Sequence, residues 1–419
     1  MLLFSSLIIG LYHVSNFVYK NFRGAKIAFG PLVKPSTNTA STNTASDTTG
    51  LGLTIPKGFH ISTFAKDIPN ARVLAFDPTG TLLVSEPSQG KVVALIDADN
   101  DGVSEKKVTV VEGLNLPHGL AFKEGSLYVG ETDKVTKFSY DQAIHTAKNK
   151  QKVVDLSGNG NHFSRTIGFS PDDKLYVSIG STCNVCVEKN PMRASIYSAN
   201  ADGSNFAPFA TGLRNSPFFV WHPVTHDMWA TEMGRDLLGD DVPPDEINIV
   251  KNASFYGWPY CYGKNIRDSS FSLTGLDPVT KIGTVGKDIC DRSVPSHIDL
   301  QAHSAPLGLA FIPTREVVNK YAIAQKLTTS GLWPIEYEGD LLVSFHGSWN
   351  RSEPTGYKIV RIKLDKNGAY EGIEDFLLGF IEKNGAKGRP VDLLFDQNGI
   401  LFISDDKAGV IYRLSFQPD

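Results

Sequence analysis

Positive charge is not in excess in this sequence, and no long basic run occurs in it. The 41 lysines and arginines are outnumbered by 45 aspartates and glutamates, which gives a formal net charge of −4. Proteins that bind the phosphate backbone of nucleic acids concentrate lysine and arginine on one face. The composition therefore argues against nucleic acid as a partner.

Cysteine is also scarce. Four cysteines are too few for a scaffold built on disulfides, but they are compatible with two bridges in an oxidising compartment. Glycine and proline, in contrast, number 38 and 23, and 41% of all residues are hydrophobic. This composition is typical of a turn-rich globular protein, and 419 residues allow one large β domain or several ordinary ones.

The start of the chain lacks charge. Residues 1–20 are predicted to be a signal sequence or a membrane anchor, because the segment is apolar and uncharged up to Tyr19. It lacks the basic n-region that signal sequences usually have, and no A-x-A-like cleavage site follows it. Lys20, Arg23 and Lys26 would favour a cytoplasmic position for the flank that follows. The alternative is an apolar first helix of the folded domain.

Residues 21–52 contain a repeated STNTA segment with almost nothing apolar to bury. Such a segment is predicted to be a flexible linker, so the folded domain is expected at 53–419. An apolar start followed by a spacer predicts a periplasmic or extracellular protein. Its N-terminus could tether it to a membrane.

A repeated unit fills the rest of the chain. Each copy has an apolar residue before Phe or Trp, a turn, and a Leu/Val/Ile strand that ends in a small or polar residue. Six copies, mostly about 45 residues apart, predict an all-β fold, a six-bladed β-propeller with four-stranded antiparallel blades. The alternative is a β-sandwich with unrelated hairpins. The last copy is short of one strand, which the N-terminal segment GFHISTFA could supply.

The polar residues of the repeats collect at one predicted mouth of the propeller. In an antiparallel blade, the start of the first strand and the end of the second strand share one edge. First-strand starts bring His118, His162 with Arg165, Arg214 with Asn215, His303, and Arg389 to this edge. Second-strand ends bring Glu86, Glu131, Ser181, Glu232 to Arg235, His346 to Arg351, and Asp405 to Lys407. One mouth is therefore predicted to be functional.

His162 is the main candidate for a general base. It lies in the glycine-rich segment GNGNHFSRT, and a neutral imidazole accepts protons near neutral pH. A hydrogen-bonded structural histidine is the alternative. His118, His303 and Asn161 border the same mouth and are candidate substrate contacts.

Three arginines from different blades, Arg214, Arg351 and Arg389, are expected to converge on this mouth. Guanidinium groups suit carboxylates and phosphates, so an anionic ligand with several carboxylates is indicated. Alternatively, the arginines are solvated or are paired with Glu86, Glu131 and Glu232.

Acidic residues in GRDLLGDDVPPDEIN provide hard oxygen ligands in an irregular loop, which suits calcium. A plain acidic surface loop is the alternative. A second acidic stretch, DADNDGVSE, resembles the start of an EF-hand loop. Val108 stands where that loop needs a glutamate, so a polar hairpin is expected there.

The cysteines allow two interpretations. Cys183 and Cys186 lie in CNVC near the mouth, and Cys261 and Cys290 are the other two thiols. Disulfides Cys183–Cys186 and Cys261–Cys290 are expected in an exported protein. A zinc site at CNVC is the alternative, without any paired spacing to support it.

Several motifs together resemble the soluble sugar dehydrogenases that depend on pyrroloquinoline quinone (PQQ), the glucose/sorbosone family. They are NLPHGLAF, GNHFSRTIGFSPDDKLYVSIGSTCNVC, GLRNSPFFVWHP, TEMGRDLLGDDVPPDEIN, FYGWPYCYG, FHGSWNRSEPTGYKIVRI and GRPVDLLFD. They follow one another in order between residues 53 and 414. The CNVC and HGSWNR versions are most similar to the sorbosone- or pyranose-dehydrogenase branch.

The resemblance implies roles for particular residues. His162 matches the family's catalytic base, and Arg214 with Asn215 matches its cofactor-contacting pair. Arg389 matches the first of two cofactor arginines, while Val391 stands in place of the second. The family's lysine from the fifth blade has no clear counterpart, and Arg351 or His346 would substitute. The implied calcium ligands are the backbone carbonyls of Gly234 and Arg235 for the cofactor ion, and Asp245, Glu246 and Tyr256 for further calcium.

The resemblance also implies an activity, in which the anomeric or aldehyde carbon of a sugar is oxidised by hydride transfer to PQQ with calcium bound. Electrons would pass to an external acceptor such as a cytochrome, a quinone or a dye. Two alternatives share the expected fold. One is a calcium-dependent propeller lactonase or related hydrolase, and the other is a binding propeller without catalysis.

Overall fold

The computed structural model describes residues 45–271, 289–319 and 332–417. In these ranges the chain is built almost wholly from β-strands, which confirms the predicted all-β class. The predicted signal or anchor at 1–20 and most of the predicted linker at 21–52 lie outside the described residues. No helix within the described ranges is long and apolar enough to cross a membrane.

Six sheets follow one another along the chain. The chain first forms β1 (Ser46–Asp47) and β2 (Phe59–Ala65). Blade one then contains β3 (Leu74–Phe76), β4 (Leu82–Glu86), β5 (Lys91–Ile96) and β6 (Lys106–Glu112). Blade two contains β7 (Leu120–Lys123), β8 (Ser126–Glu131), β9 (Lys134–Asp141) and β10 (Thr146–Asp155). Blade three contains β11 (Ile167–Phe169), β12 (Leu175–Ile179), β13 (Ser195–Ala199) and β14 (Ala207–Thr211).

The second half repeats this pattern. Blade four contains β15 (Phe219–Trp221), β16 (Met228–Glu232), β17 (Asp245–Val250) and, after an excursion, β21 (Ile298–Leu300). The excursion forms β18 (Ser254–Phe255), β19 (Cys261–Tyr262) and β20 (Ile266–Arg267). Blade five contains β22 (Pro306–Phe311), β23 (Leu341–Phe345), β24 (Lys358–Leu364) and β25 (Tyr370–Leu377). A hairpin of β26 (Ile381–Glu382) and β27 (Gly385–Ala386) leads to β28 (Pro390–Phe395), β29 (Leu401–Asp405) and β30 (Val410–Phe416) of blade six.

Helical structure is confined to short segments in the described residues: 3-10 turns at Pro87–Gln89, Ile289–Arg292 and Ile335–Tyr337, and α-helix at residues 315–319. The six sheets, each antiparallel within its four main strands, confirm the predicted six-bladed β-propeller with four-stranded blades. The second strand of a blade is covered on both faces by its neighbours. Every residue of β4, β16, β23 and β29 is buried for this reason.

The ring is closed by the N-terminal strand, as the sequence predicts. Strand β2 pairs antiparallel with β30, with Phe59 opposite Phe416 and Ile61 opposite Leu414. Phe59 is completely buried, and its ring packs edge-on against four aromatic rings: Trp333, Tyr337, Phe376 and Phe416. The closure therefore combines a strand ladder with an aromatic cluster.

The end of the predicted linker also contacts the domain. Strand β1 pairs in parallel with β2, and a carboxylate oxygen of Asp47 accepts a hydrogen bond of 2.7 Å from the backbone NH of Leu53. The Lys387 ammonium donates to the carbonyl of Leu51. The predicted boundary at residue 53 thus falls within a segment that packs on the blade.

We expect that a chain without residues 1–45 melts at the same temperature as the full chain, because β1 and everything after it are retained. Removing residues 1–52 should lower the melting temperature by a few degrees, about 1 kcal/mol, since the Asp47–Leu53 hydrogen bond and the β1 pairing are lost. Differential scanning calorimetry of the three chains measures both effects. A large loss with the shorter deletion would contradict the linker prediction.

Candidate active site

The loops that follow the second strands and precede the first strands meet at one mouth of the ring. Hydrogen bonds join loops from different blades there, such as Asn350 of blade five to Asp236 of blade four at 3.0 Å. Arg351 donates to the carbonyl of Asp240 at 2.5 Å, and Arg72 reaches Asp406 at 2.7 Å. The mouth is therefore a continuous polar surface held by contacts between blades.

His162 is half-buried at this mouth, on the segment that enters β11. Its Nδ1 lies 2.9 Å from the carbonyl oxygen of Ser181 and 3.0 Å from the Ser181 hydroxyl. That hydroxyl donates to the Cys183 carbonyl at 2.7 Å, so it accepts from the imidazole. Nδ1 therefore carries the hydrogen, and Nε2 is the nitrogen left to accept a proton.

The imidazole of His162 is held in its neutral form. Burial lowers its pKa to about 3, and the positive charge of Arg214 acts in the same direction. Arg165 and Arg193 contribute further positive charge nearby. A neutral imidazole is the protonation state in which histidine acts as a base.

Arg214 is almost completely buried beside this histidine. Its Nε donates to the carbonyl of Asn184 at 2.9 Å, and Nη1 donates to the carbonyl of Met233 at 3.2 Å. Its Nη2 donates to the Asn184 side chain at 3.0 Å and to Asp236 at 3.2 Å. The guanidinium is therefore fixed in one orientation at the mouth.

Asn215 lies against His162 because residue 180 is a glycine. A Cβ at Gly180 would lie 2.7 Å from the Asn215 side-chain oxygen and 2.7 Å from the His162 Cβ. The Asn215 amide nitrogen has only the thioether of Met233 as a partner, at 3.4 Å, within the described part of the chain. Because a thioether is a weak acceptor, this donor can serve an oxygen of a ligand.

A triad that the sequence did not predict lies across the mouth. His346 Nε2 contacts Asp406 at 2.9 Å, and Asp406 also forms an ion pair with Arg72 at 2.7 Å. Burial lowers the pKa of His346 to about 4, against the opposing influence of Asp406. The sequence places His346 and Asp406 at the mouth, but their pairing joins residues from different blades, and no local pattern signals it.

The other two predicted arginines are also engaged. Arg389 donates to the carbonyls of His346 and Gly347, at 3.0 and 2.7 Å, and its guanidinium lies over the ring of Tyr357. Arg351 pairs with Asp241 at 3.1 Å. The alternative, in which the arginines pair with Glu86, Glu131 and Glu232, is not what the structure shows. Glu86 and Glu131 instead form ion pairs with lysines of their own blades.

The three predicted substrate contacts differ in position. His118 has no exposed surface, because it is enclosed near the rings of Phe163 and Phe218, so the structure does not bring it to the mouth. His303 is buried as well, and its Nε2 lies 2.8 Å from the carbonyl of Gly239, where it holds the acidic loop. Asn161 is exposed beside His162 and remains a candidate contact.

The predicted ligands of the cofactor calcium surround the end of β16. The amide of Gly234 donates to Asp245 at 2.9 Å, while its carbonyl accepts no hydrogen bond from the described residues. The other Asp245 oxygen accepts from Ser304 and from the amide of Ala305, at 3.1 and 2.9 Å. The Arg235 guanidinium is buried against Asp268, so only its backbone carbonyl suits a cation.

The predicted further calcium ligands line a small cavity beneath the mouth. Glu246 and Tyr256 line it with Glu232 and Asp268. Asp245 and Glu246 are adjacent in β17 and point to opposite faces, so one ion cannot take both side chains directly. The Tyr256 hydroxyl donates to the carbonyl of Ile249 at 2.6 Å, which leaves its backbone carbonyl as the possible ligand.

Two carboxyl groups face each other at this cavity. Glu232 and Glu246 are directly opposite in the β16–β17 ladder, and both are buried. Burial raises the pKa of Glu232 to about 8 and that of Glu246 to about 7, and each is raised further by neighbouring carboxylates. A divalent cation would remove this repulsion.

We expect the melting temperature of the calcium-free protein to fall as pH rises from about 6.5 to about 8, above the range in which the lowered pKa values of His162 and His346 act in the opposite direction. Both glutamates have a pKa above their ordinary value of 4.5 in the folded state. Their stabilisation is thus complete below pH 4.5 and is lost as pH rises through about 7 and 8. Asp392, with a pKa raised by burial to about 7, acts in the same direction.

Calcium should reduce this fall, because it stabilises the ionised carboxylates of the folded state only. Thermal unfolding at several pH values, with calcium and with a chelator, measures both effects. Glu246→Gln is the matched variant, and it should be less sensitive to both pH and calcium. Melting temperatures that calcium leaves unchanged at high pH would contradict a cation site here.

Both expected disulfides are present. Cys183 is bonded to Cys186 and Cys261 to Cys290, so the zinc alternative at CNVC is wrong because both thiols are oxidised. The acidic stretch at Asp97 forms a hairpin between β5 and β6, where it lies at the opposite mouth. Its four carboxylates lie close together and are mostly exposed.

Comparison with known proteins agrees with this architecture. A family model described as TrAA12-like matches residues 53–417. An uncharacterised protein of Borreliella burgdorferi is 30% identical over 381 residues, which cover 87% of this chain and 91% of that protein. A PQQ-dependent pyranose dehydrogenase of Coprinopsis cinerea is 23% identical over 416 residues, covering 86% of this chain and 54% of the relative. This chain therefore spans about half the length of that enzyme.

A solved structure has the same fold. The holo form of the PQQ domain of pyranose dehydrogenase from Coprinopsis cinerea superposes with a TM-score of 0.70 and 20% identity. The match covers 89% of this chain and all of that domain. At this identity the likeness establishes the shared propeller.

Proposed function

The chain belongs to the TrAA12-like family, whose relatives include PQQ-dependent sugar dehydrogenases, and from this premise we propose that it is a PQQ- and calcium-dependent sugar dehydrogenase. The substrate would be an aldose or a sorbosone-type sugar, oxidised at its anomeric or aldehyde carbon. The observation that carries the proposal is His162, a neutral imidazole with Nε2 unprotonated, beside Arg214 and Asn215.

The residues of the mouth fit a tricarboxylate quinone. Arg214, Arg351 and Arg389 bring guanidinium groups from three blades, and Arg351 Nη2 and Arg389 Nη1 keep donors that no described residue uses. Carboxylates are anions that such donors bind. The Asn215 amide has only a weak acceptor, and Arg193 Nη2 is buried without a partner among the described residues. His346 would hold the same ligand from the side of blade five.

The residues near β16 also fit calcium. The Gly234 carbonyl lacks a hydrogen-bond donor in the described chain, and the Arg235 carbonyl follows it directly. Glu246 and the Tyr256 carbonyl would hold further calcium at the cavity, and Asp245, on the other face of β17, would serve a separate ion; both carboxylates are buried and would be neutralised by a cation. Backbone carbonyls and carboxylates are the ligands that calcium prefers.

In the proposed mechanism, the sugar lies with its anomeric hydroxyl against His162 Nε2. The imidazole takes the hydroxyl proton, and the positive charge that results is stabilised by the Ser181 oxygens on Nδ1. PQQ, when bound with calcium, supplies the acceptor for the hydride that leaves the anomeric carbon. Arg214 and Asn215 donate hydrogen bonds where negative charge develops. The products are a lactone and reduced cofactor, which an external cytochrome, quinone or dye reoxidises.

The test is reconstitution. The purified protein is freed of ligands, supplied with PQQ and calcium, and mixed with a panel of aldoses and an electron-accepting dye. Dye reduction that requires PQQ, calcium and sugar together supports the proposal. Hydrolysis of lactones without PQQ would instead support the hydrolase alternative. Sugar binding without any reaction would support the binding propeller.

Arg214→Ala is expected to weaken PQQ binding about 10- to 100-fold, because a hydrogen bond to a charged group contributes about 1.5–3 kcal/mol. Titration of the ligand-free protein by absorbance or calorimetry measures the affinity. Arg413→Ala, on the last strand of the ring and away from the mouth, is the matched control and should bind PQQ normally. Equal affinity in both variants would remove Arg214 from the cofactor site.

A further inference from the structure

One short loop contacts both groups to which the proposed function assigns chemistry. Ser181 holds His162 through its carbonyl and hydroxyl oxygens, at 2.9 and 3.0 Å. The backbone NH of the same serine donates to the carbonyl of Arg214 at 2.7 Å. The His162 imidazole and the backbone of Arg214 are therefore both held by the segment that follows β12.

Asn184, three residues further on, makes the most contacts with Arg214. Its backbone carbonyl accepts from Arg214 Nε at 2.9 Å, and its side-chain oxygen accepts from Nη2 at 3.0 Å. The same side-chain oxygen accepts from the amide of Asp236 at 2.8 Å, and its Nδ2 donates to the Asp236 carbonyl at 3.2 Å. One buried asparagine thus joins Arg214 to the acidic loop of blade four.

The loop that carries Asn184 is tightly restrained. The Cys183–Cys186 disulfide brackets the asparagine. The hydroxyl of Thr182 donates to Glu188 at 2.8 Å, and Ser181 donates to the Cys183 carbonyl at 2.7 Å. Because the ends of the loop are bonded to each other, Asn184 and Ser181 are held in a fixed relative position. Ser181 in turn holds the imidazole of His162.

We propose that Asn184 is a positioning residue that fixes the guanidinium of Arg214 beside the His162 imidazole, and that the Cys183–Cys186 disulfide holds it there. The structural basis does not depend on the identity of the cofactor, but its catalytic consequence rests on the proposed function. Without the asparagine side chain, Arg214 retains its bonds to the Asn184 and Met233 carbonyls and to Asp236. Arg214 Nη2 loses the Asn184 oxygen, and Asp236 itself loses two hydrogen bonds, so the Nη2 end of the guanidinium is held less firmly.

The test measures how strongly the positive charge of Arg214 lowers the pKa of His162. The C2 proton of His162 is followed by NMR in the full chain without added ligands, between about pH 3 and pH 8. Arg165 and Arg193 also face the imidazole, and they are unchanged in every variant. In Asn184→Ala the titration of His162 should move to higher pH, because the positive charge beside it is no longer fixed.

A double-mutant cycle shows whether the effect passes through Arg214. The shift caused by Asn184→Ala should disappear when Arg214 is already alanine. Asn200→Ala is the matched control, since Asn200 caps a turn at the far end of the same blade, where it donates to Ser204 at 2.7 Å. That variant should titrate like the wild type.

A second route keeps the proposal testable if Asn184→Ala does not fold. Cys183→Ser with Cys186→Ser opens the loop and retains the asparagine, and it should displace the His162 titration in the same direction. Titration curves that overlay the wild type in every folded variant would overturn the proposal. So would an equal shift in the Arg214→Ala background, which would indicate a general loosening of the loop. Failure of PQQ-dependent sugar oxidation would overturn the proposed function alone, because these titrations contain no cofactor.

Discussion

His162→Ala is expected to reduce bound PQQ about 100- to 10,000-fold more slowly than the wild type at saturating sugar, the usual contribution of a general base. The variant should retain the fold and the cofactor, because the imidazole forms hydrogen bonds only with the oxygens of Ser181 within the described structure. Stopped-flow absorbance of bound PQQ measures the chemical step without interference from reoxidation.

His226→Ala is the matched control. His226 is exposed on the turn between β15 and β16, at the opposite mouth, and its loss should leave the rate unchanged. The pH profile gives a second check. The lowered pKa of His162 keeps it unprotonated through the neutral range, so acid inhibition through this group should begin well below pH 6.5. Near-normal reduction in the His162 variant would leave His346, paired with Asp406, as the next base to test.

Phe59→Ala is expected to destabilise the domain by about 3–5 kcal/mol, the usual cost of removing a completely buried phenylalanine. Four aromatic rings surround this side chain where the first and last strands meet. Neighbouring side chains could fill the space left by the Phe59 ring only if the strand ladder on which Phe59 lies were displaced. The cavity should therefore persist, and the loss should fall near the upper end of that range.

Denaturant unfolding followed by tryptophan fluorescence measures this loss. Tyr370→Ala on β25 is the control, because that ring is 45% exposed and should change stability by no more than about 0.5 kcal/mol. A similar, small change in both variants would contradict the role given to the aromatic cluster in closing the ring.

The repeat and the ring closure could be predicted from the sequence because they depend on local patterns. The Phe-turn-strand unit specifies each hairpin by itself, and an incomplete last copy leaves a strand to be found elsewhere. The disulfide partners could also be predicted locally, because Cys183 and Cys186 are close in the sequence and leave Cys261 and Cys290 to each other. The start of the packed domain was harder to predict, since the β1 pairing and the Asp47 hydrogen bond involve residues that carry no strand pattern of their own.

The site was only partly predictable for a physical reason. Strand ends show which residues reach the mouth, but side-chain direction within a loop depends on contacts with other blades. His118 follows the expected position in its blade and is nevertheless enclosed by aromatic rings. The ion pair between Arg72 and Asp406 and the bond between Asn184 and Asp236 join loops from different blades. No spacing in the sequence reflects such pairs.

The strand that closes the ring, β2, pairs with β30, and the other five blades lie between these two strands in the sequence. The other five blades are therefore synthesised before the sixth blade can be completed. Until then β30 is absent, β2 has an unpaired edge, and the apolar side chains of Phe59 and Ile61 are accessible to other chains. Such late, long-range closure is slow compared with hairpin formation. Closure of the ring should therefore be the last step of folding, and the chain with an unclosed ring should be the form that chaperones encounter.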